Sequence, residues 1–535
     1  MMTPLRGATP LVLGRMLSGV KGAGSTIRLN FGQGEKNHMI LPRFRRTTPV
    51  WAAFLALGAA IPASCAPAAA PESQQPDFQL HAIPVAPAPK DPAIAAALAQ
   101  VSAERIRKTI EALVGFGTRA TLSSMETDLP PGQGVTAAAD WIASQFEEIS
   151  KQCGGCLEVK RDTFTNPAAD RIPKPTTIAN VYAILRGSDA AQSGQGYGRM
   201  YLVTGHYDSR NSDTLDDRGA APGANDDASG VAVSLECARV LSKLKLSASL
   251  VFVAVAGEEQ GLNGSSHLAH LAKTEGWQLE GVLNNDIVGG NTTPGDTLQR
   301  KDTVRVFSEG IPLAATPEQI RRIRALGSVD DASSRQLARA MADAARTYLG
   351  GVCGKGHPCE PPFKPFLVSR PDRYLRGGDH TSFNREGFSA VRITEWREDF
   401  NHQHQNVRVE NGIQYGDLLQ FVDFAYVAQV ARLNAATLAT LAASPGIPTE
   451  LKIVTTKLDN DSTFTWKAPA GAAASLHYEL LWRETTAPDW QYVQSVPSPA
   501  DGGPVTVTVP ISKDNVVFGV RAVDAAGHRG LVTTP

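Results

Sequence analysis

From about residue 91 to residue 443, apolar positions fall into two alternating rhythms. Helical spacing, with apolar residues three and four apart, marks Asp91 to Leu122 (Ile94, Leu98, Val101, Ile106, Ile110, Leu113) and Thr136–Ile149. It returns at Val231–Leu244, Leu262–Lys273, Ser334–Leu349 and Tyr415–Ala443. Short runs rich in β-branched residues predict strands at Thr177–Leu185, Met200–Val203, Ser249–Val255, Val282–Ile287, Phe366–Ser369 and Ser389–Thr394. Strands alternating with helices predict an α/β domain over residues 93–443, a mostly parallel mixed sheet with helices on both faces. After Pro445 the helical rhythm stops. Leu451–Val454, Thr463–Trp466, Tyr478–Arg483, Val505–Val509 and Val516–Val523 predict a small all-β sandwich over residues 450–535.

The ends of the pattern read differently. Arg43-Phe44-Arg45-Arg46, the apolar run Val50–Ile61 and the small residues after it have the layout of a signal peptide. Residues 1–38 read as an upstream extension, with translation starting at Met39. The run is shorter than the roughly 20 residues a membrane-spanning helix needs, so no transmembrane span is expected in the mature protein. Ala63-Ser64-Cys65 has the form of a lipoprotein cleavage site, although Pro62 stands where leucine is expected. These features predict an exported protein, periplasmic or secreted, with Cys65 as the candidate lipid anchor. Residues 66–92, rich in Ala and Pro, read as a disordered or extended linker.

Of 535 residues, 42% are hydrophobic and 20% charged, an ordinary globular balance. Residues 1–64 carry eight Lys/Arg and one Glu, and without them the body has 44 basic and 52 acidic residues, net -8. An acidic body argues against a nucleic-acid partner. Cys153/Cys156 and Cys353/Cys359 form two close pairs, which in an oxidising compartment predict two local disulfides ahead of a four-cysteine zinc site. Cys237, inside a helical pattern, reads as a small buried residue.

Chemistry gathers after strands. His206-Tyr207-Asp208, Gly257-Glu258-Glu259, Asn285-Asp286 and Phe400-Asn401-His402 each follow a predicted strand, and Asp226-Asp227 lie in the small-residue loop Gly223–Gly230. In an open α/β sheet the carboxyl ends of the strands form the ligand crevice. Alone, each segment reads as a hydrogen-bonded pair, a helix cap or a solvated face; together they are a set of imidazoles and carboxylates suited to zinc. A bridging carboxylate would serve two ions, and a carboxylate free of metal would act as base, a division of labour that Glu258 and Glu259 suit.

Thr204–Ser209, Gly223–Gly230, Gly257–Gly261 and Asn285–Gly289 resemble the co-catalytic, di-zinc aminopeptidases of the bacterial leucyl aminopeptidase type, as do Phe116–Arg119 and Gly378–Phe383. The resemblance implies the zinc-exopeptidase fold, of phosphorylase/hydrolase type, and two Zn2+ per chain. His206 and Asp286 would hold one ion, Glu259 and His402 the other, and Asp226 would bridge them. Glu258 would be the general base, and Asp208 would hydrogen-bond the free nitrogen of His206. A cis peptide bond between Asp226 and Asp227 is implied as well. For the late histidine, His402 is preferred over His404. The substrates would be peptide or protein N-termini. Trp466, Tyr478–Trp482 and Phe518–Asp524 resemble core strands of a fibronectin type III domain.

Three other readings stay open: a single-zinc glutaminyl cyclase, a carboxypeptidase of the same fold, and a receptor-like ectodomain without metal. A serine hydrolase using Ser229 is set aside, because Gly-x-Ser-x-Gly is missing and Ser229 reads as a helix N-cap.

Overall fold

The computed structural model describes residues 75–535 except 81, 191–195, 351, 354–356, 359–361 and 472–475. The signal peptide, Cys65 and the Cys353/Cys359 pairing lie outside the described residues or side chains.

Eight strands form the central sheet: β1 (Leu157–Asn166), β2 (Thr176–Leu185), β3 (Arg199–His206), β4 (Ser249–Val255), β5 (Gln278–Asn285), β6 (Thr303–Ser308), β7 (Lys364–Val368) and β8 (Ala390–Thr394). Their order is β7-β6-β8-β5-β3-β4-β2-β1. The ladders β6·β7, β5·β8, β3·β4 and β3·β5 are parallel, and β1·β2, β2·β4 and β6·β8 antiparallel. The mixed α/β sheet is as the apolar pattern predicts.

Both faces are covered, which is why the central strands read as unbroken apolar runs. On β4, Leu250, Phe252 and Ala254 enter one buried cluster, and Val251, Val253 and Val255 the opposite one. The first face is packed by α1 (Pro92–Leu98), α2 (Ala103–Val114), α3 (Gly134–Gln152), α4 (Ala228–Leu241) and further along by α7 and α9, the second by α5 (Asn263–Thr274) and α8. The remaining helices are α6 (Pro317–Leu326), α7 (Ser333–Ala344), α8 (His380–Arg385) and α9 (Phe424–Ala443). The expected helix from Asp91 is two, because the Ser102 hydroxyl accepts from Arg105 N and starts a new helix. The expected helix from Tyr415 begins instead at Phe424, where Asp423 is the N-cap.

The C-terminal strands β9 (Thr449–Ile453), β10 (Ser462–Lys467), β11 (His477–Glu484), β12 (Tyr492–Pro497), β13 (Val505–Val509) and β14 (Val516–Val523) form two antiparallel sheets around Phe464, Trp466, Tyr478, Leu480 and Phe518. The stretch read as a linker departs from expectation over its second half. Ile83 and Pro84 pair with Val493 and Tyr492 as an edge strand, and Trp482 Nε1 donates to the Phe78 carbonyl. Ion pairs from buried arginines join this module to the α/β domain: Arg483 to Asp330 and Asp331, and Arg521 to Asp343. Residues 73–535 form one unit. Cys153 and Cys156 are disulfide-bonded, so they are not thiolate ligands of a structural zinc. Among the described residues no helix is long and apolar enough to cross a membrane.

Candidate metal centre

Three adjacent parallel strands deliver most of the site. β3 ends at His206, β4 runs on into Gly257-Glu258-Glu259, and β5 into Asp286; His206 lies beside Val255 in the register. The fourth contribution, Asp226, comes from the loop before α4. Arg119, fully buried, ties that loop down by donating to the carbonyls of Tyr207 (2.6 Å), Leu113 (2.9 Å), Pro222 (2.6 Å) and Gly223 (2.8 Å). Gly223 has φ +50°, and a Cβ there would lie 2.5 Å from Ser209 Cβ and 2.6 Å from the Asp226 carbonyl, so only glycine fits. Asp417 accepts from the N–H groups of Asn225 (2.8 Å) and Asp226 (2.7 Å).

The Asp226–Asp227 peptide is cis, as the resemblance implied. The two side chains face apart. Asp226 faces the cavity, while Asp227 turns inward and accepts from His206 N (3.0 Å), Gly230 N (2.9 Å) and Ile287 N (3.2 Å). Asp227 is thereby the N-cap of α4, the role expected of Ser229. The Ser229 hydroxyl donates to the Asn225 carbonyl and accepts from Val288 N.

The donor atoms gather in two groups, His206/Glu258/Asp286 and Asp226/Glu259/His404, each within 4.8 Å. Asp226 stands between them. Its Oδ1 is 3.1 Å from His206 Nε2 and its Oδ2 is 2.9 Å from His404 Nε2. His404 Nε2 is also 3.0 Å from Glu259 Oε1.

His404, not His402, therefore meets the carboxylates. Residues 399–404 form a turn with no regular period, and His404 adopts φ 56°, which aims two histidines only two residues apart in different directions. The His402 ring stacks on Phe421, with centroids 3.5 Å apart, and its Nδ1 faces Thr293 and Asp399. Asp208 reaches the free nitrogen of His206 through its backbone. His206 Nδ1 meets the Asp208 backbone carbonyl at 3.0 Å, while the carboxylate lies 3.5 Å away. That carboxylate instead accepts from Thr121 Oγ1 (2.8 Å), Glu258 N (3.3 Å) and Glu259 N (3.2 Å), holding the double-glutamate segment.

Four polar neighbours escaped the sequence reading. Arg392 Nη1 pairs with Asp286 Oδ2 at 2.5 Å, Arg210 Nε with Glu259 Oε2 at 2.8 Å, and Gln403 Nε2 donates to Asp226 Oδ2 at 3.0 Å; Asp417 is the fourth. A period-two reading of β8 would have turned Arg392 to one definite face. Nothing in the local sequence of the others announces them.

Burial alone would raise the Asp226 carboxyl, but the imidazoles of His404 and His206 outweigh it and hold the group well below the usual range. Withdrawal from water pushes Glu258 well above the usual range, and Asp286, Glu259 and Asp379 add to this against His206. Burial opposes protonation of His404, yet Glu259 and Asp226 raise it to about 10. Carboxylates crowded around two imidazoles call for positive charge between them. Glu259 Oε1 is buried and accepts no hydrogen bond despite lying so close to His404 Nε2, as donors converging on an ion would. Two imidazole nitrogens with four carboxylates suit zinc in chemistry and number.

Five of these six donors, all but His206, line an open cavity of about 360 Å³, together with Arg171, Gly261, Leu262, Arg373, Arg376 and Gly377.

Residues 180–423 match the model of peptidase family M28. A probable zinc metalloprotease of Leptosphaeria maculans is 42% identical over 440 residues, covering 82% of this chain and 95% of that protein. One of Pyricularia oryzae is 43% identical over 452 residues, covering 83% and 84%. The solved zinc aminopeptidase BSAP of Bacillus subtilis is 15% identical and covers 63% of this chain and 94% of its own, with a TM-score of 0.42. The identity and coverage of the two metalloproteases show that the chain belongs to peptidase family M28 and is a zinc metallopeptidase.

Proposed function

We propose that the protein is an exported aminopeptidase that holds two zinc ions and removes residues from the N-termini of peptides. The observation that carries the reading is Asp226, whose two carboxylate oxygens face two imidazoles belonging to two separate donor groups. His206 and Asp286 would hold one ion, Glu259 and His404 the other, and Asp226 both. Zinc, when bound, supplies Lewis acidity that polarises a carbonyl and acidifies water.

The chain's own residues do the rest. Glu258 belongs to the same donor group as His206 and Asp286, where its carboxylate would take a proton from the attacking water and return it to the leaving amine. Asp208 fixes the backbone of Glu258 and Glu259, and Arg392 orients Asp286. The cavity lies at the small end of ligand sites, roughly 300–1,000 Å³, with room for the end of a peptide. Export is supported by the signal-peptide pattern before residue 64, and the C-terminal module is read as a fibronectin type III-like domain.

The test assays purified protein on aminoacyl, dipeptidyl and N-blocked substrates. Turnover restricted to blocked peptides would remove the aminopeptidase reading. Glu258→Gln should abolish turnover with zinc content near two per chain. A drop to one zinc would make Glu258 a ligand, and retained turnover would end its role as base.

A further inference from the structure

The mouth of the cavity carries a surplus of positive charge that peptide hydrolysis does not require. Arg171, Arg210, Arg373 and Arg376 line the same cavity as Glu258 and Asp226. Arg210 is committed inside the site, bonded to Glu259 and, through Nη2, within 2.6 Å of His404 Nδ1. Arg373 is also held, with Nη2 on the Gly377 carbonyl at 3.2 Å and its side chain only 9% exposed, while Arg171 and Arg376 are less committed. Arg373 Nη1 and Arg376 Nη1 reach the same oxygen, Glu398 Oε2, at 2.8 and 3.1 Å, while Arg305 Nη2 takes Oε1 at 3.1 Å. One carboxylate thus serves three guanidiniums. Arg373 also meets Asp372 at 3.0 Å, but Asp372 in turn faces Arg392 and His380. Arg171, exposed, donates to the backbone carbonyl of Glu259 at 3.0 Å, and among the described residues no acidic side chain pairs with it.

Guanidinium groups present planar, paired donors that match a carboxylate, and the Arg171 and Arg376 side chains reach solvent. Neighbouring Tyr374 and Leu375, 78% and 92% exposed, leave this rim open to an incoming chain. We infer that Arg171 and Arg376 form a subsite for a substrate carboxylate, so that the enzyme prefers peptides bearing an acidic group beyond the scissile bond. The group would be an acidic side chain or the C-terminal carboxylate of a short peptide. The inference rests on the aminopeptidase reading and adds the substrate class.

The experiment compares tripeptides that share an N-terminal residue, chosen in turn as leucine, alanine or arginine. Glutamate or glutamine occupies the second position, with an amidated C-terminus; a third peptide carries glutamine and a free C-terminus. The expected result is that at least one acidic peptide exceeds the neutral amide in kcat/KM by about tenfold, expressed in KM and shrinking with added salt. Whichever acidic peptide gains identifies the source of the carboxylate. In the doubly substituted protein, Arg171→Gln with Arg376→Gln, the ratio of acidic to neutral kcat/KM should fall close to one. Equal kcat/KM for all three peptides, with the neutral one turned over, overturns the subsite and leaves the aminopeptidase reading standing. An acidic preference that survives both substitutions overturns it as well. No turnover of any free-amine peptide overturns the aminopeptidase reading, and the inference falls with it.

Discussion

Arg119 offers a test of how the bridging loop is held. Its guanidinium donates to four backbone carbonyls and, among the described residues, forms no ion pair within contact distance; the carboxylates that favour its charge, led by Asp417, act across space. Burial lowers its pKa to about 10, so it is charged at neutral pH. In Arg119→Met the apolar length is kept and every donor is lost. The Leu113 carbonyl also accepts from Phe116 N, and the Gly223 carbonyl from Ala228 N. The loss therefore falls on the Tyr207 and Pro222 carbonyls. A buried acceptor left unpaired costs about 1–3 kcal/mol, so the variant should be less stable by about 2–6 kcal/mol, a large part of the roughly 5–15 kcal/mol typical of a folded protein. Arg119→Lys keeps the charge but lacks the planar fork, and should recover only part of that loss. Urea unfolding, followed by fluorescence with zinc in excess, measures both. Because Pro222 and Gly223 lead into Asp226, the methionine variant should also retain less zinc after dialysis. A stability within about 1 kcal/mol of the parent, with zinc retained, would refute this account of Arg119.

Three further outcomes follow from the same geometry. On the proposed two-ion reading, His404→Ala should lower bound zinc from two per chain towards one, whereas His402→Ala should leave zinc content unchanged; elemental analysis of both reverses the assignment if the losses are exchanged. Arg392→Met breaks a fully buried ion pair with Asp286, which should cost about 3–5 kcal/mol in denaturant unfolding and weaken zinc binding about 10–100-fold; an unchanged zinc affinity would remove Arg392 as an orienting group. Glu309 loses its proton near pH 4.5 when unfolded, but burial raises it to about 7 in the fold, against the bonds it accepts from Leu313 N and Asn384. Its contribution to stability is therefore full below pH 4.5 and lost as pH rises through 7. Glu309→Gln should flatten the stability profile across that window by at most about 3 kcal/mol; an unaltered slope would show that Glu309 titrates normally.

The parts of the fold that came through in the sequence are those whose burial imposes a period. β4, apolar on both faces, and α3, apolar on one, could be read directly, and the segments at the ends of β3, β4 and β5 could be placed because a parallel sheet gathers its carboxyl ends. What was missed has no period. His402 and His404 lie on a turn whose direction is set by one left-handed residue, and Asp417 reaches Asp226 from a loop that had been read as helix. Arg392 is hidden by the apolar run Ala390–Thr394, in which a buried arginine is tolerable because Asp286 and Asp372 face it. Residues 76–85 show the same limit of composition. Alanine and proline suggested a linker, but proline suits an edge strand, whose outer N–H needs no partner.

That edge strand joins regions made at opposite ends of synthesis. The Phe78 carbonyl and its donor on Trp482 are 404 residues apart in the chain, and the Asp77 carboxylate waits for Ser512 N across 435. At about 5–20 residues per second, the segment before α1 spends roughly 20–80 s without a partner after it emerges. A nascent chain interrupted before residue 480 can close its central sheet and still leave the Ile83–Pro84 strand without the strand it pairs with.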